Sequence, residues 1–142
     1  PDFIGKFLSK VISQKTVNKS VRELFGSETQ PSDDFLDQQW EILNYNNGKS
    51  IAYLIGRLVF EKTKHQKRWI EAMQTTSVPM CFINGPADPN SGIEMANRYR
   101  ELIPTPKIYF LGKKIGHSVH LEDTKGALEA FTEFHNHFTS DK

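Results

Sequence analysis

Two residues in this sequence have the type and the setting to do chemistry together. Asp88 stands in Asn84-Gly85-Pro86-Ala87-Asp88-Pro89, directly after a short apolar run, and His117 stands in Gly116-His117-Ser118, directly after another. An aspartate that accepts the ring N–H of a histidine fixes its tautomer and stabilises the imidazolium. The second ring nitrogen is then left as a general base. That is the acid and base part of a catalytic triad. Taken singly, an aspartate after a strand is a turn or cap residue, and a histidine is an ordinary packed or surface group. The joint placement after successive strands is what points to catalysis.

For the two to meet, the runs that precede them must be parallel neighbours. Val78-Pro79-Met80-Cys81-Phe82-Ile83 and Lys107-Ile108-Tyr109-Phe110-Leu111-Gly112 are unbroken apolar runs, the pattern of strands buried on both faces. Between them Met95, Ala96, Tyr99, Leu102 and Ile103 fall on one side of a helix, which Pro104 and Pro106 prevent from continuing. A right-handed β-α-β unit of this kind sets its strands about 5 Å apart, with the loops from their C-terminal ends on one rim. Asp88 lies in the first of those loops and His117 in the second. A last helix follows, with Ala127, Leu128, Phe131, Phe134 and Phe138 expected on its buried face. Parallel strands buried on both faces belong to larger sheets. The remaining strands are therefore expected in sequence preceding Pro1 or in another chain.

Residues 1–76 follow a different pattern, with apolar positions at the helical period. Ile4, Phe7, Leu8, Val11 and Ile12 form one face, and Ile51, Leu54, Ile55, Leu58 and Val59 another. Between them Pro31-Ser32-Asp33-Asp34 is a helix start, with Ser32 as N-cap and acids in the first turn, followed by Phe35, Leu36, Trp40 and Leu43. Asn46-Asn47-Gly48 stops that helix, and the charged stretch from Glu61 to Trp69 continues as a solvated one. The expected organisation is four helical pieces in 1–76 and strand, helix, strand, helix in 77–142.

Composition narrows the function classes. With 18 basic and 17 acidic residues among 142, the net charge of +1 gives no bulk field toward nucleic acid or an anionic membrane. The cluster Lys62, Lys64, Lys67 and Arg68 reads as a solvated helix face, so no nucleic-acid partner is expected. The longest apolar stretches are far short of the roughly 20 residues that span a bilayer. The single cysteine, Cys81, supports neither an internal disulfide nor a cysteine-rich metal site, and reads as inert packing in a buried strand. His117 with His120, and His135 with His137, have pairwise metal spacing, but no set of three or four ligands converges. Neither a metal nor a cofactor is expected.

The motifs also carry a family resemblance. Val78-Pro79 opening a strand, Gly85-Pro86-Ala87-Asp88-Pro89 closing it, and Gly116-His117-Ser118-Val119-His120-Leu121-Glu122-Asp123 after the next strand resemble the last third of α/β-hydrolases of the epoxide hydrolase and haloalkane dehalogenase type. The nearest branch of that family is the mesoderm-specific transcript branch, through Trp40, Asn46-Asn47-Gly48 and Lys67-Arg68-Trp69. The resemblance implies a partial α/β-hydrolase fold: a helical cap in 1–76, then the last β-α-β-α of the core in 77–142. Asp88 matches the triad acid, His117 the base, and Glu122 the acidic residue that commonly follows the histidine. Thr124 stands where the family often has proline.

No Gly-x-Ser-x-Gly or equivalent aspartate elbow occurs in the chain, and the family's order is nucleophile, acid, histidine. The nucleophile, an aspartate or a serine, is therefore expected upstream of Pro1, with the oxyanion-hole donors. The implied reaction is hydrolysis of a small apolar substrate, an epoxide, haloalkane or ester, through an ester intermediate, inactive until the other half is supplied. Cap tyrosines Tyr45 and Tyr53 are candidates to protonate an opening epoxide, and Trp40 and Trp69 to hold a halide; core packing is the competing role for all four. The alternative is a non-catalytic fragment or binding module that pairs with another chain through its sheet edge.

Overall fold

A computed structural model describes residues 12–139. In chain order it contains α1 (Gln14–Leu24), α2 (Asp33–Asn44), a 3-10 segment (Tyr45–Ile51), α3 (Ala52–Ile55), α4 (Leu58–Thr75), β1 (Phe82–Asn84), α5 (Ile93–Leu102), β2 (Ile108–Phe110), α6 (Val119–Glu122) and α7 (Thr124–Thr139). The fold is mostly helical with a small parallel sheet. Of the first expected apolar face, Ile4, Phe7, Leu8 and Val11 lie outside the described residues. The described chain divides into two compact units. One holds α1 as far as Arg22 together with Pro31–Trp69, and the other holds Glu23–Gln30 and everything from Ile70.

In the first unit α2 begins as its residues dictate. Ser32 Oγ accepts from the Phe35 amide at 3.2 Å, and Asp33 and Asp34 sit in the first turn, where the helix dipole favours anions. Arg22 ties α1 to this start by donating to the Pro31 carbonyl at 3.1 Å and to Asp33 at 2.6 Å. Gln14 adds a bond to Asp37 at 2.7 Å. Leu36, 1% exposed, is the most buried side chain here. The stop after α2 is the expected one: Asn46 and Asn47 take φ of 47° and 60°, the left-handed region that asparagine tolerates better than most residues.

The second expected apolar face departs from expectation. It is not one helix, because Gly56 and Arg57 separate α3 from α4, and glycine is a poor helix former. Ile51, Leu54, Ile55, Leu58 and Val59 are all exposed.

In the second unit β1 and β2 pair in parallel, with Phe82 opposite Ile108, Ile83 opposite Tyr109 and Asn84 opposite Phe110. The Phe82 amide bonds the Lys107 carbonyl at 2.9 Å, and the Leu111 amide bonds the Asn84 carbonyl at 3.0 Å. The β-α-β reading holds, but the strands are shorter than the apolar runs and are half-buried rather than covered on both faces. Pro79 has no amide to give a ladder, and Val78 and Phe110 are exposed. Cys81 precedes β1 and is half-buried, not inside a buried strand. Burial pushes its thiol pKa up against the opposing charge of Lys107.

The expected face of α5 holds except at Met95, and that of α7 is rotated. On α5 the inward positions are Ala96 and Tyr99, with Ile103 just past the helix end. The Tyr99 ring lies 5.7 Å from that of Phe82, while Met95, about 100° round the helix from Ala96, is exposed. On α7 the inward face runs through Ala127, Ala130 and Phe134, leaving Leu128 and Phe131 outside. Glu133, exposed on α7, accepts from the Tyr109 hydroxyl at 3.2 Å. The Phe138 side chain lies outside the described residues.

The contrast between Leu36 and Ile55 is testable. Leu36→Ala should destabilise the chain by about 2–5 kcal/mol, whereas Ile55→Ala should stay within about 0.5 kcal/mol. Urea denaturation followed by circular dichroism measures both, and equal effects would contradict the burial described.

Candidate active site

The candidate site is built on the two loops that leave the C-terminal ends of β1 and β2, within the second unit. Asn84, buried at the end of β1, donates through Nδ2 to the carbonyls of Ser91 at 2.6 Å and Gly92 at 3.4 Å, which folds the loop back on itself. A tight turn from the Asp88 amide to the Gly85 carbonyl, 3.0 Å, then carries Asp88 inward. The Ala87 amide bonds the Ile115 carbonyl at 2.9 Å, joining the acid loop to the histidine loop.

The Asp88 side chain is 4% exposed and its carboxylate is fully engaged. Oδ1 accepts from the Asn90 amide at 2.8 Å, and Oδ2 accepts from the Ser91 hydroxyl and from His117 Nδ1, the latter at 2.7 Å. Burial acts to raise the Asp88 pKa, but the bonds from Ser91, Asn90 and His117 outweigh it and hold the carboxyl below its ordinary value. An ionised carboxylate only accepts, so the ring nitrogen facing it is the donor, and in the neutral imidazole Nε2 carries the lone pair. With 45% of the side chain exposed, the ring is open to a reactant.

Three backbone amides in a row fix the histidine loop. Those of Gly116 and Ser118 donate to Glu122 at 2.7 and 2.9 Å, and that of His117 donates to the Leu24 carbonyl at 2.9 Å. Glu122 also accepts from the Gly26 amide at 2.7 Å and the Thr29 hydroxyl at 2.5 Å. Burial again opposes ionisation, and these four bonds again prevail, lowering the Glu122 pKa. The segments approach so closely that a side chain would not fit at Gly26, Gly85 or Gly116. A Cβ on Gly116 would stand 2.5 Å from the Leu24 carbonyl oxygen, and one on Gly85 would collide with the Gly116 carbonyl.

Of the residues singled out in the sequence, Asp88 and His117 meet. Trp40, Tyr45, Tyr53 and Trp69 lie in the first unit. Lys49 stands 5.3 Å from the Trp40 ring centre, Tyr45 is 81% exposed, Tyr53 is half-buried, and the Trp69 ring lies 6.1 Å from that of His65. His120 is exposed; its carbonyl accepts from the Thr124 hydroxyl at 2.8 Å. His135 stacks on Phe131 at 6.1 Å. Among the described residues no three His, Cys, Asp or Glu side chains gather as metal ligands, and no helix is long and apolar enough to cross a membrane.

Sequence reasoning missed Gly26 and Thr29. They precede Glu122 by more than 90 residues, and no local pattern marks them. A cavity of about 500 Å³ is lined by Asp88 with Pro89, Ile93 and Arg98, and not by His117. A larger one of about 720 Å³ lies at the opposite, N-terminal rim of the strands, between Val78 and Lys107.

The chain is 28% identical over 136 residues to the mesoderm-specific transcript protein of Mus musculus, an alignment covering 95% of this chain and 41% of the relative. The Homo sapiens homolog aligns at 28% identity over the same shares. A Mycobacterium tuberculosis protein named as a hydrolase, LipZ, is 28% identical over 127 residues, 89% of this chain and 44% of the relative. The chain thus spans about two fifths of the length of the curated relatives it matches. No family model and no solved structure matches it. These alignments support a hydrolase-like relationship, and do not extend to the epoxide hydrolase or haloalkane dehalogenase type.

Acid titration tests the geometry at Asp88. Its folded pKa is depressed, so its stabilising contribution is complete above the unfolded value of about 3.9 and is lost as pH falls through the lower folded value. Asp88→Asn should lower stability at pH 7 by about 1–3 kcal/mol and flatten the dependence on pH below about 5. Parallel stability curves for the two proteins would contradict the arrangement.

Proposed function

We propose that the chain is the C-terminal portion of an α/β-hydrolase and supplies the acid and the histidine of a triad. In this reading residues 1–76 act as cap and 77–142 as the end of the core, and the nucleophile and oxyanion-hole donors come from an N-terminal half or another chain. The observation that carries it is the 2.7 Å contact between Asp88 and His117 Nδ1 on one rim of two parallel strands, with no hydrogen bond to Nε2 among the described residues.

The chemistry follows from that arrangement. Either an aspartate carboxylate from the completing half attacks a carbon of an epoxide or haloalkane, breaking its C–O or C–halogen bond, or a serine, passing its proton through His117 to the leaving alcohol, attacks the carbonyl carbon of an ester. Both give an ester intermediate. His117 Nε2 then takes a proton from water as its oxygen attacks the ester carbonyl carbon. Collapse of the tetrahedral intermediate breaks the ester C–O bond. The imidazolium, stabilised by Asp88, returns its proton to the departing oxygen, and both nucleophile and histidine are regenerated. An epoxide, haloalkane or ester meets this description. Trp40, Tyr45, Tyr53 and Trp69 are the proposed pocket residues, the tyrosines as proton donors to an opening epoxide or the indole N–H groups as halide ligands. No metal or cofactor enters any step.

A second reading has its own support. Among the described residues β1 and β2 pair only with each other, so each keeps an edge able to take another strand. A non-catalytic chain would use those edges to bind a partner.

Turnover decides between the two. The chain purified together with whatever polypeptide carries a nucleophile elbow should hydrolyse ester or epoxide substrates, and His117→Ala should lower kcat/KM by about 10³-fold or more. The chain alone should show no turnover. Activity indifferent to His117→Ala would remove the catalytic reading, and inactivity of the completed protein would leave the binding one.

A further inference from the structure

His117 presents a positional problem that Asp88 does not solve. A single hydrogen bond from a half-exposed ring does not by itself keep that ring in place, since the side chain can rotate into water and the carboxylate retains its bonds to Asn90 and Ser91. Whether any rotamer of the ring reaches Asp88 depends on the direction of the Cα–Cβ bond, set by the backbone from Gly116 to Ser118. That backbone is held by Glu122.

Resting on the proposed role of His117, we infer that Glu122 is a positioning residue: its carboxylate, bonded to the amides on both sides of the histidine, aims the imidazole at Asp88. Three features support this. Oε2 and Oε1 divide the amides of Gly116 and Ser118 between them, at 2.7 and 2.9 Å, so the Ile115–Gly116 and His117–Ser118 peptide units are clamped by one rigid planar group. The same Oε2 reaches Gly26 at 2.7 Å and Thr29 at 2.5 Å, which anchors the clamp on Glu23–Gln30, a segment distant in sequence from the loop it holds. From that segment the Leu24 carbonyl takes the remaining amide, that of His117 itself, at 2.9 Å. Four donors on one carboxylate also keep it ionised, in agreement with its lowered pKa. Glu122 touches neither the ring nor any reacting atom; it acts through the backbone.

The readout is the tautomer of His117, which a residue that only stabilised the fold would leave unchanged. In the full 142-residue chain, ¹⁵N-labelled and held at alkaline pH, imidazole nitrogen shifts should report a neutral ring protonated on Nδ1. Glu122→Ala should convert this to a mixture of both tautomers. It should also speed amide exchange at Gly116, His117 and Ser118 by about tenfold or more, with the amides of Phe82–Asn84 unchanged. Glu122→Gln keeps one carbonyl oxygen and turns an NH₂ group toward the other donors. It should displace the tautomer signature part-way, and it serves alone if the alanine variant does not fold. An unchanged tautomer in the folded variant would overturn the role of Glu122 and leave the proposed function standing. A wild-type ring not protonated on Nδ1 would remove the Asp88–His117 pair, and with it the catalytic reading and the role of Glu122.

Discussion

The parallel register of β1 and β2 is the constraint on which the candidate site depends. Pairing Asn84 with Phe110 ends both strands at the same level, so the loops that follow leave the sheet side by side. Neighbouring strands lie about 4.7–4.9 Å apart, a spacing that two side chains projecting from the same rim can close to hydrogen-bonding distance. An antiparallel pair would send the loops to opposite ends and separate Asp88 from His117 by the length of the strands. The loops also join above the last rung, where the Ala87 amide meets the Ile115 carbonyl at 2.9 Å, and Gly85 and Gly116 allow the backbones to come that near. The sheet is small, yet it fixes the one relation the chemistry needs.

Two carboxylates, Asp88 buried and Glu122 half-buried, complete what the register begins, and they divide the work. Asp88 fixes the ring by its edge, and Glu122 fixes the backbone that carries the ring. A buried carboxylate is costly unless its oxygens are bonded. Asp88 meets that cost with Asn90, Ser91 and His117, and Glu122 with Gly26, Thr29, Gly116 and Ser118. Such networks resist partial removal, since each lost donor leaves charge unsatisfied in a poorly solvated place. The order of the histidine loop is therefore an electrostatic matter as much as a packing one.

The parts of this arrangement that could be read from sequence are those with local causes. Ser32 before Asp33 and Asp34 marks a helix start, Asn46 and Asn47 mark a stop, and Pro104 limits α5; each acts through its own backbone within a few residues. The pairing of Asp88 with His117 was legible because strand-loop patterns repeat at both and a β-α-β connection has a fixed hand. What was not legible depends on partners far along the chain. Nothing near Thr29 or Gly26 announces a carboxylate at Glu122. The inward face of α7 runs through Ala127, Ala130 and Phe134, which periodicity does not record. Periodicity marked Leu128 and Phe131 as apolar correctly and placed them on the wrong side.

The misplaced burial has a common direction, which is itself informative. The apolar runs around β1 and β2 have the composition of strands covered on both faces, yet Val78 and Phe110 are exposed and the strands are half-buried. Leu128 and Phe131 on α7 are exposed in the same unit, and Ile42, Ile51, Ile55, Val59 and Phe60 in the other. Isolated exposed apolar side chains are ordinary, but large contiguous sets mark surfaces that another polypeptide covers. The sequence thus encodes more apolar cover than the described residues supply to one another. A parallel sheet needs that cover more than most structures do, because its strands are stable when helices and further strands enclose them. In the proposed reading, strands that enclosed this sheet would also bring the nucleophile that His117 would assist.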